Sequence, residues 1–357
     1  MKIFYQYSDA KKLTPITGDC INEINFIRTL REFADVTYGC QGEYDLYFVR
    51  GNVDLFLELP HPKIWVAAPF NRDCYEQADL IATFSEPWAE GIRNGNNFTW
   101  IPQKDKISFY NAVNISQAIG DDFIPLRKHL LTKRIRKQIN SNFVIGHFGR
   151  IVKGSYPAAF LRILPELKKM GVRFLCASTG SQKNFVVGNG VKYDKLIKKH
   201  GVAVKEWNKF DNFIRREFTY QQMPYAISAC DLICVYGQAW SGDWEICGSR
   251  SVLEAAACGV PIICGDSAAR RDLMGEDYPL FHSGFNKNGD NIVSSWYFNS
   301  KSNKNDAGEL LGLIKKVING GNSLRTKIGS NLANRTNEFK PKKLSKRIEP
   351  IFNKLIK

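Results

Sequence analysis

No apolar run in this sequence is long enough to cross a membrane: the longest, such as Leu232 to Tyr236 and Ile262 to Cys264, fall far short of a span. The opening residues, MKIFYQYSD, have no long apolar centre of the kind a signal peptide needs. The nine cysteines are odd in number, scattered and without C-x-x-C or another metal-ligand spacing, which excludes a disulfide framework and a zinc module. Cys230-x-x-x-Cys234 is too sparse a motif to hold zinc, so the thiols read as small buried hydrophobes in a reducing compartment. No metal site is expected. Internal repeats and low-complexity tracts are also missing, which removes solenoids and disordered linkers. The expected location is cytoplasmic, with a peripheral position at the inner membrane surface as a variant.

What is present is ordinary for a globular protein except in its charge. The 357 residues are 44% hydrophobic and 24% charged, enough for two domains with separate cores. The net charge is +15, and most of it is local. Arg127 to Lys137 holds six Lys or Arg and no acid; Lys340 to Lys357 holds seven against the single acid Glu349. One such run reads as a solvated helix face. Two of the same sign point to an anionic partner: a glycan or lipid-linked glycan, membrane headgroups or nucleic acid.

Strands and helices alternate along the chain. Lys2 to Tyr7 is a predicted strand and Cys20 to Phe33 a helix with Ile21, Ile24, Ile27 and Leu30 on one face. Val36 to Tyr38, Asp45 to Val49, Lys63 to Ala67, Leu80 to Phe84 and Thr99 to Ile101 follow as short strands, and Ser85 is the expected cap of a helix over Glu86 to Ile92. A polar, then basic stretch from Asn114 to Asn142 precedes a second series. It opens with the strand Phe143 to Phe148 and continues with Val172 to Ala177 and Val202 to Lys205, followed late in the chain by a helix over Glu309 to Val317. The pattern is α/β with parallel sheets.

Ala226 to Asp266 is the segment richest in chemistry. It gives a helix end, the strand Leu232 to Tyr236, a loop, the helix Ser251 to Cys258, a Gly259-Val260-Pro261 stop and the strand Ile262 to Cys264. Loops in such units lie at the carboxyl edge of a parallel sheet, where ligands bind. Glu254 is a carboxylate on a small, apolar helix surface with Val252, Ala255, Ala256 and Ala257, and it needs a partner. In FVIGHFGRIVKG, Arg150 and Lys153 stand just past the strand Phe143 to Phe148 and its following Gly149, three residues apart and before a helix start near Tyr156. A planar fork, a point charge and free helix N–H groups suit a diphosphate. The plainer readings are exposed basic residues for Arg150 and Lys153, and a carboxylate favoured by the helix dipole for Glu254. His147 reads as structural.

The helix ending in Asp231, the strand after it and LEAAACGVPII together resemble the donor-site segment of family 4 retaining glycosyltransferases. That resemblance implies the GT-B fold: two Rossmann-like parallel-sheet α/β domains facing a cleft, with a C-terminal helix crossing back to the first domain. It sets the domains at 1–140 for the acceptor, 141–338 for the nucleotide-sugar donor and 339–357 for the basic returning helix, which would put both basic runs on the first domain's side. It also implies that Glu254 accepts hydrogen bonds from the donor ribose and that Arg150 and Lys153 grip the pyrophosphate. The first glutamate of the family spacing falls on Ile246 here, with Glu245 one residue earlier and Asp243 as its competitor. The implied catalytic set is Glu245, Arg150 and Lys153. The donor set is Gly149, Arg150, Lys153, Gly248, Ser249, Arg250, Val252 and Glu254, with Gly18 letting a donor phosphate approach. The strand Lys63 to Ala67 ends without the histidine often found in the family, so Arg50, Asn71 and Arg72 are its candidate acceptor-side substitutes.

The expected activity is therefore a metal-independent, retaining hexosyl- or pentosyltransferase, with no cofactor and a nucleotide-diphosphate sugar as donor substrate. The acceptor is a hydroxyl on a glycan or lipid-linked glycan. Two alternatives stand beside it: a DNA-modifying glycosyltransferase acting on a hydroxylated base, and a GT-B binding module without catalysis, which the displaced first glutamate would suit.

Overall fold

The computed structural model describes residues 1–7, 18–38, 42–67, 71–94, 111–148, 158–179, 213–235, 250–266, 268–282 and 303–357. They form two compact units. The first holds Met1–Asp121 and Asn337–Lys357; the second takes the described residues between Asp122 and Thr336. The stretch from Asp122 to Asn140, which the sequence reading attaches to the first domain, belongs to the second unit.

The first unit is built on one parallel sheet of six strands: β1 (Lys2–Tyr7), β2 (Asp35–Tyr38), β3 (Leu46–Arg50), β4 (Lys63–Val66), β5 (Leu80–Thr83) and β6 (Ala112–Asn114). Their spatial order is β2-β1-β3-β4-β5-β6. The inner strands are mostly apolar runs such as KIWV and LIAT, buried at every position including Lys63 and Thr83, because helices cover both faces. Those helices are α1 (Gly18–Leu30), α2 (Val53–Glu58), α3 (Arg72–Gln77) and α4 (Glu86–Arg93). Ser85 caps α4 as expected, its hydroxyl oxygen 3.3 Å from the Trp88 N–H.

The last helix of the chain, Pro341–Ile356, also belongs to this unit. Leu344, Ile348 and Phe352 recur every four residues along it and join the core cluster of Phe26, Ile27, Leu30 and Phe48. Burying each contributes about 1.5–3 kcal/mol. The basic residues of the same segment occupy the rest of the helix surface, so the run is the wet side of an amphipathic anchor.

The second unit repeats the plan with β7 (Phe143–Phe148), β8 (Val172–Thr179), β9 (Phe213–Phe218), β10 (Leu232–Val235), β11 (Ile262–Gly265) and β12 (Phe281–His282). All are parallel, in the order β12-β11-β10-β7-β8-β9. Its helices are α5 (Leu130–Ile139), α6 (Ala158–Lys169), α7 (Met223–Ser228), α8 (Arg250–Ala257), α9 (Ala268–Met274), α10 (Asn303–Asn319) and α11 (Gly321–Thr336); the returning helix is α12. Helix α8 stops where Gly259 turns to φ +67°, a conformation that favours glycine. A Cβ at Gly329 on α11 would sit 2.0 Å from the Gly259 carbonyl oxygen, so the two backbones meet directly there.

Several elements differ from the sequence expectation. The predicted strands at Thr99 to Ile101 and Val202 to Lys205 lie outside the described residues. Strands β6 and β9 were not anticipated: both are edge strands, one only three residues long and the other carrying Arg215, Arg216 and Glu217. The first basic run does not lie on the first unit. It falls on α5 and its approach in the second, where Thr132, Ile135 and Ile139 are buried and Arg136 donates to the Ala229 carbonyl at 2.9 Å.

Candidate functional site

In the second sheet, β7-β8-β9 and β10-β11-β12 run outward in opposite directions from the β7/β10 boundary. This is the strand order of doubly wound nucleotide-binding sheets, and ligands take the crevice beyond the carboxyl ends at that reversal. The strand ends there are His147 and Phe148 on β7, and Cys234 and Val235 on β10. Gly149, Arg150 and Lys153 follow β7 directly in the chain, and Glu245, Gly248 and Ser249 come between β10 and α8. All six lie outside the described residues.

Helix α8 is tied to this edge. The Ser251 hydroxyl donates to the Phe148 carbonyl at 2.7 Å, which fixes the first turn of α8 against the end of β7. One residue before it, Arg250 turns its Nε to Glu254 Oε1 at 2.9 Å, and the two side chains are only 9% and 7% exposed. The partner that Glu254 needs is thus Arg250, one helical turn earlier. Burial pushes the Glu254 carboxyl above the usual carboxylate range, and the Arg250 guanidinium pulls it back only in part. Val252 is fully buried and serves packing.

His147 bridges the two strands at the reversal. Its Nδ1 lies 3.0 Å from the Cys234 carbonyl oxygen, which fixes the proton on Nδ1. Burial lowers its pKa, against the hydrogen bond to the Cys234 carbonyl, and so favours the neutral ring. Its Nε2 is buried with no hydrogen-bond partner among the described residues. The sequence reading took this histidine as structural; the bond to Cys234 supports that role, and the bare Nε2 adds an acceptor beside the reversal. Arg270, buried on α9, donates to the Gly265 carbonyl at the end of β11 at 2.9 Å. The reading missed Arg270, although an Arg-Arg pair just after a strand was a signal for it.

The first sheet has its own reversal, between β1 and β3. Gly18 opens α1. Arg50, at the end of β3, pairs with the buried Glu23 on α1, which also accepts the Tyr5 hydroxyl. Burial, then the Glu23 charge, pushes the Tyr5 phenol well above its ordinary range. The guanidinium carbon of Arg50 lies 5.6 Å from the centre of the Phe84 ring. Asn71 caps α3, its side-chain oxygen accepting the Cys74 N–H at 2.9 Å, and Arg72 pairs with Glu76 at 2.8 Å on the helix surface. Each of the three acceptor-side candidates has a partner within the unit.

Among the described residues no group of three or more His, Cys, Asp or Glu is placed to hold a metal ion, and no helix is long and apolar enough to cross a membrane.

No protein-family model matches the chain, and no curated protein sequence matches it. Solved structures do. HepE of Anabaena, crystallised in complex with UDP and glucose, is similar with a TM-score of 0.67 at 15% identity, over 99% of this chain and 100% of that one. The pneumococcal O-GlcNAc transferase GtfA, in complex with UDP and GlcNAc, gives 0.55 at 12% identity over 87% of this chain and 57% of its own. AviGT4, a glycosyltransferase involved in avilamycin A biosynthesis, gives 0.54 at 13% identity over 100% and 98%. With two parallel-sheet α/β units and this likeness over its length, the chain has the GT-B fold.

Proposed function

We propose that the chain is a glycosyltransferase that moves a sugar from a nucleotide-diphosphate donor, a UDP-sugar on the example of HepE with UDP-glucose and of GtfA with UDP and GlcNAc, to a hydroxyl on a glycan or lipid-linked glycan. The observation that carries this reading is the buried Arg250–Glu254 pair at the opening of α8, fastened by Ser251 to the end of β7 at the strand reversal. A carboxylate held there accepts hydrogen bonds from ribose hydroxyls, and Arg250 keeps it from turning away. Gly149 belongs to the donor-binding set beside Arg150 and Lys153, which stabilise the negative charge that grows on the departing diphosphate. Gly248 and Ser249, just ahead of α8, offer N–H groups to the same region.

The chemistry is a same-face substitution. The bond from the anomeric carbon to the donor phosphate oxygen breaks, the acceptor oxygen bonds to that carbon on the same face, and the acceptor proton passes to the released phosphate. Configuration is retained. Glu245 stands nearest the position of the family's first glutamate and holds the sugar. No step in this scheme uses a cofactor.

The test is a panel of nucleotide sugars with release of the nucleotide diphosphate as readout, on the wild type and on the Arg150→Ala, Lys153→Ala double variant. Turnover of a UDP-sugar by the wild type and a fall of about 10²–10³-fold in the variant, with an unchanged circular dichroism spectrum, are expected. Full activity in the variant sinks the assignment of those two residues. A wild type that binds and turns over no donor sinks the enzyme reading.

A further inference from the structure

On the amino edge of the second sheet, away from the strand reversal's carboxyl ends, lies a cavity of 680 Å³. It is formed where α5 leads into β7, where Gly171 leads into β8 and where Ser228 and Ala229 lead into β10. Among the described residues four cations line it, Arg127, Lys133, Arg136 and Lys137, with no acidic and no aromatic side chain in its wall. Behind it lies the carboxylate of Asp231, which is 1% exposed. Asp231 is paired with Arg127, with Arg136 at 2.5 Å and with Arg325 at 3.8 Å, and it also accepts the Val144 N–H at 2.9 Å.

Three guanidiniums on one carboxylate leave the cluster positive before the lysines are counted. Arg325 registers the excess: burial lowers its pKa, Asp231 opposes that, and the nearby Arg127 and Arg136 lower it further. The array is also preorganised. Arg136 spans from the Ala229 carbonyl at the end of α7, at 2.9 Å, to the Asn142 carbonyl before β7, at 2.8 Å, and Arg173 covers the Ile139 carbonyl at the end of α5 at 2.7 Å, so these carbonyls, which would repel an anion, are occupied. Lys133 and Lys137 stand one turn apart on the exposed face of α5. The hydroxyl of Thr132, a lining residue, is buried with no hydrogen-bond partner among the described residues.

We propose that this cavity is a second binding site, separate from the donor site, for a multiply charged phosphate group, held by Arg127 and Arg136 together with Lys133 and Lys137. Several surplus positive charges call for a ligand with more than one negative charge. Fixed guanidinium forks beside mobile ammonium groups match phosphate oxygens better than a lone carboxylate. A wall without aromatic side chains gives nucleic-acid bases nothing to stack on. The group is either part of a soluble phosphorylated compound or a lipid headgroup. Leu130, 69% exposed at the head of α5, makes the second source worth a separate arm.

Calorimetric titration with inorganic tripolyphosphate tests the proposal, using the full chain with Arg150→Ala and Lys153→Ala so that the donor site does not contribute. Saturable binding is expected, weakening as salt rises from about 50 to about 500 mM and falling about tenfold or more when Lys133→Gln and Lys137→Gln are added. Absence of binding, or binding indifferent to the two lysine changes, overturns the site; Arg127→Gln is the second variant and must weaken binding as well. Sedimentation with phosphatidylglycerol and phosphatidylcholine vesicles separates the sources. Release from phosphatidylglycerol vesicles by tripolyphosphate identifies a headgroup, and tripolyphosphate binding without sedimentation identifies a soluble compound. Sedimentation that tripolyphosphate does not reverse overturns the cavity as the site.

Discussion

The two edges of the second sheet handle buried charge in opposite ways. At the carboxyl edge one arginine meets one carboxylate, Arg250 with Glu254, both inside the protein and nearly balanced. At the amino edge one carboxylate, Asp231, faces Arg127, Arg136 and Arg325. A balanced pair in low dielectric positions a group at little electrostatic cost to its neighbours, whereas an unbalanced cluster projects a field into the adjoining cavity. Under the proposed function the two edges take different tasks, orientation of polar hydroxyls at one and attraction of anions at the other.

Removing Asp231 breaks this contrast most severely. Asp231→Ala leaves the guanidiniums without a counter-charge and the Val144 N–H without its acceptor, and a loss of about 3–5 kcal/mol in urea unfolding is expected. A loss below about 1 kcal/mol would mean that the cluster is solvated and not structurally coupled. Glu254→Gln has a smaller effect, about 1–2 kcal/mol, because burial already disfavours the charged form. Its larger consequence is on UDP binding, expected to weaken about tenfold. Replacing both partners, Arg250→Met with Glu254→Leu, should recover most of the stability and none of the UDP affinity; recovery of both would remove Glu254 from the site.

Titration sharpens the comparison further. The folded-state pKa of Glu254 is raised, so between its unfolded value of about 4.3 and that raised value the folded protein binds more protons than the unfolded chain. The group's contribution to stability is therefore fully present below the unfolded pKa and is lost as pH rises through the folded one. Stability curves of wild type and Glu254→Gln should diverge in that window and run parallel above it. UDP affinity should move the other way, rising as the carboxylate forms. The smallest effect belongs to Lys133→Gln with Lys137→Gln, whose exposed side chains should change stability by no more than about 0.5 kcal/mol.

Much of this was legible in the sequence. The inner strands are largely apolar runs bounded by turn residues, and LEAAACGVPIIC carries a helix, its glycine stop and the next strand in consecutive order. The Arg250–Glu254 pair follows helical spacing and was readable in principle. The position of Arg250 at the loop's end points equally to a ligand contact, which hides the pairing. The edge strands β6 and β9 were hidden because a sheet edge tolerates short or charged sequence. The Asp231 cluster was out of reach altogether, since Arg127 and Asp231 are 104 residues apart and only the folded sheet brings them together. The basic run looked like a surface because sequence shows its charges and not the buried carboxylate that gathers them.

The direct meeting of Gly259 and Gly329 has a mechanical consequence. At 329 nothing larger than a hydrogen fits beside the Gly259 carbonyl, so the spacing of α8 from α11 is gauged by main-chain atoms alone. A methyl group added there acts as a wedge about one carbon wide. It displaces the tail of α8 and, through a rigid helix of eight residues, the angle at which Glu254 is presented. The aim of the site is set from behind, by two positions that carry no side chain at all.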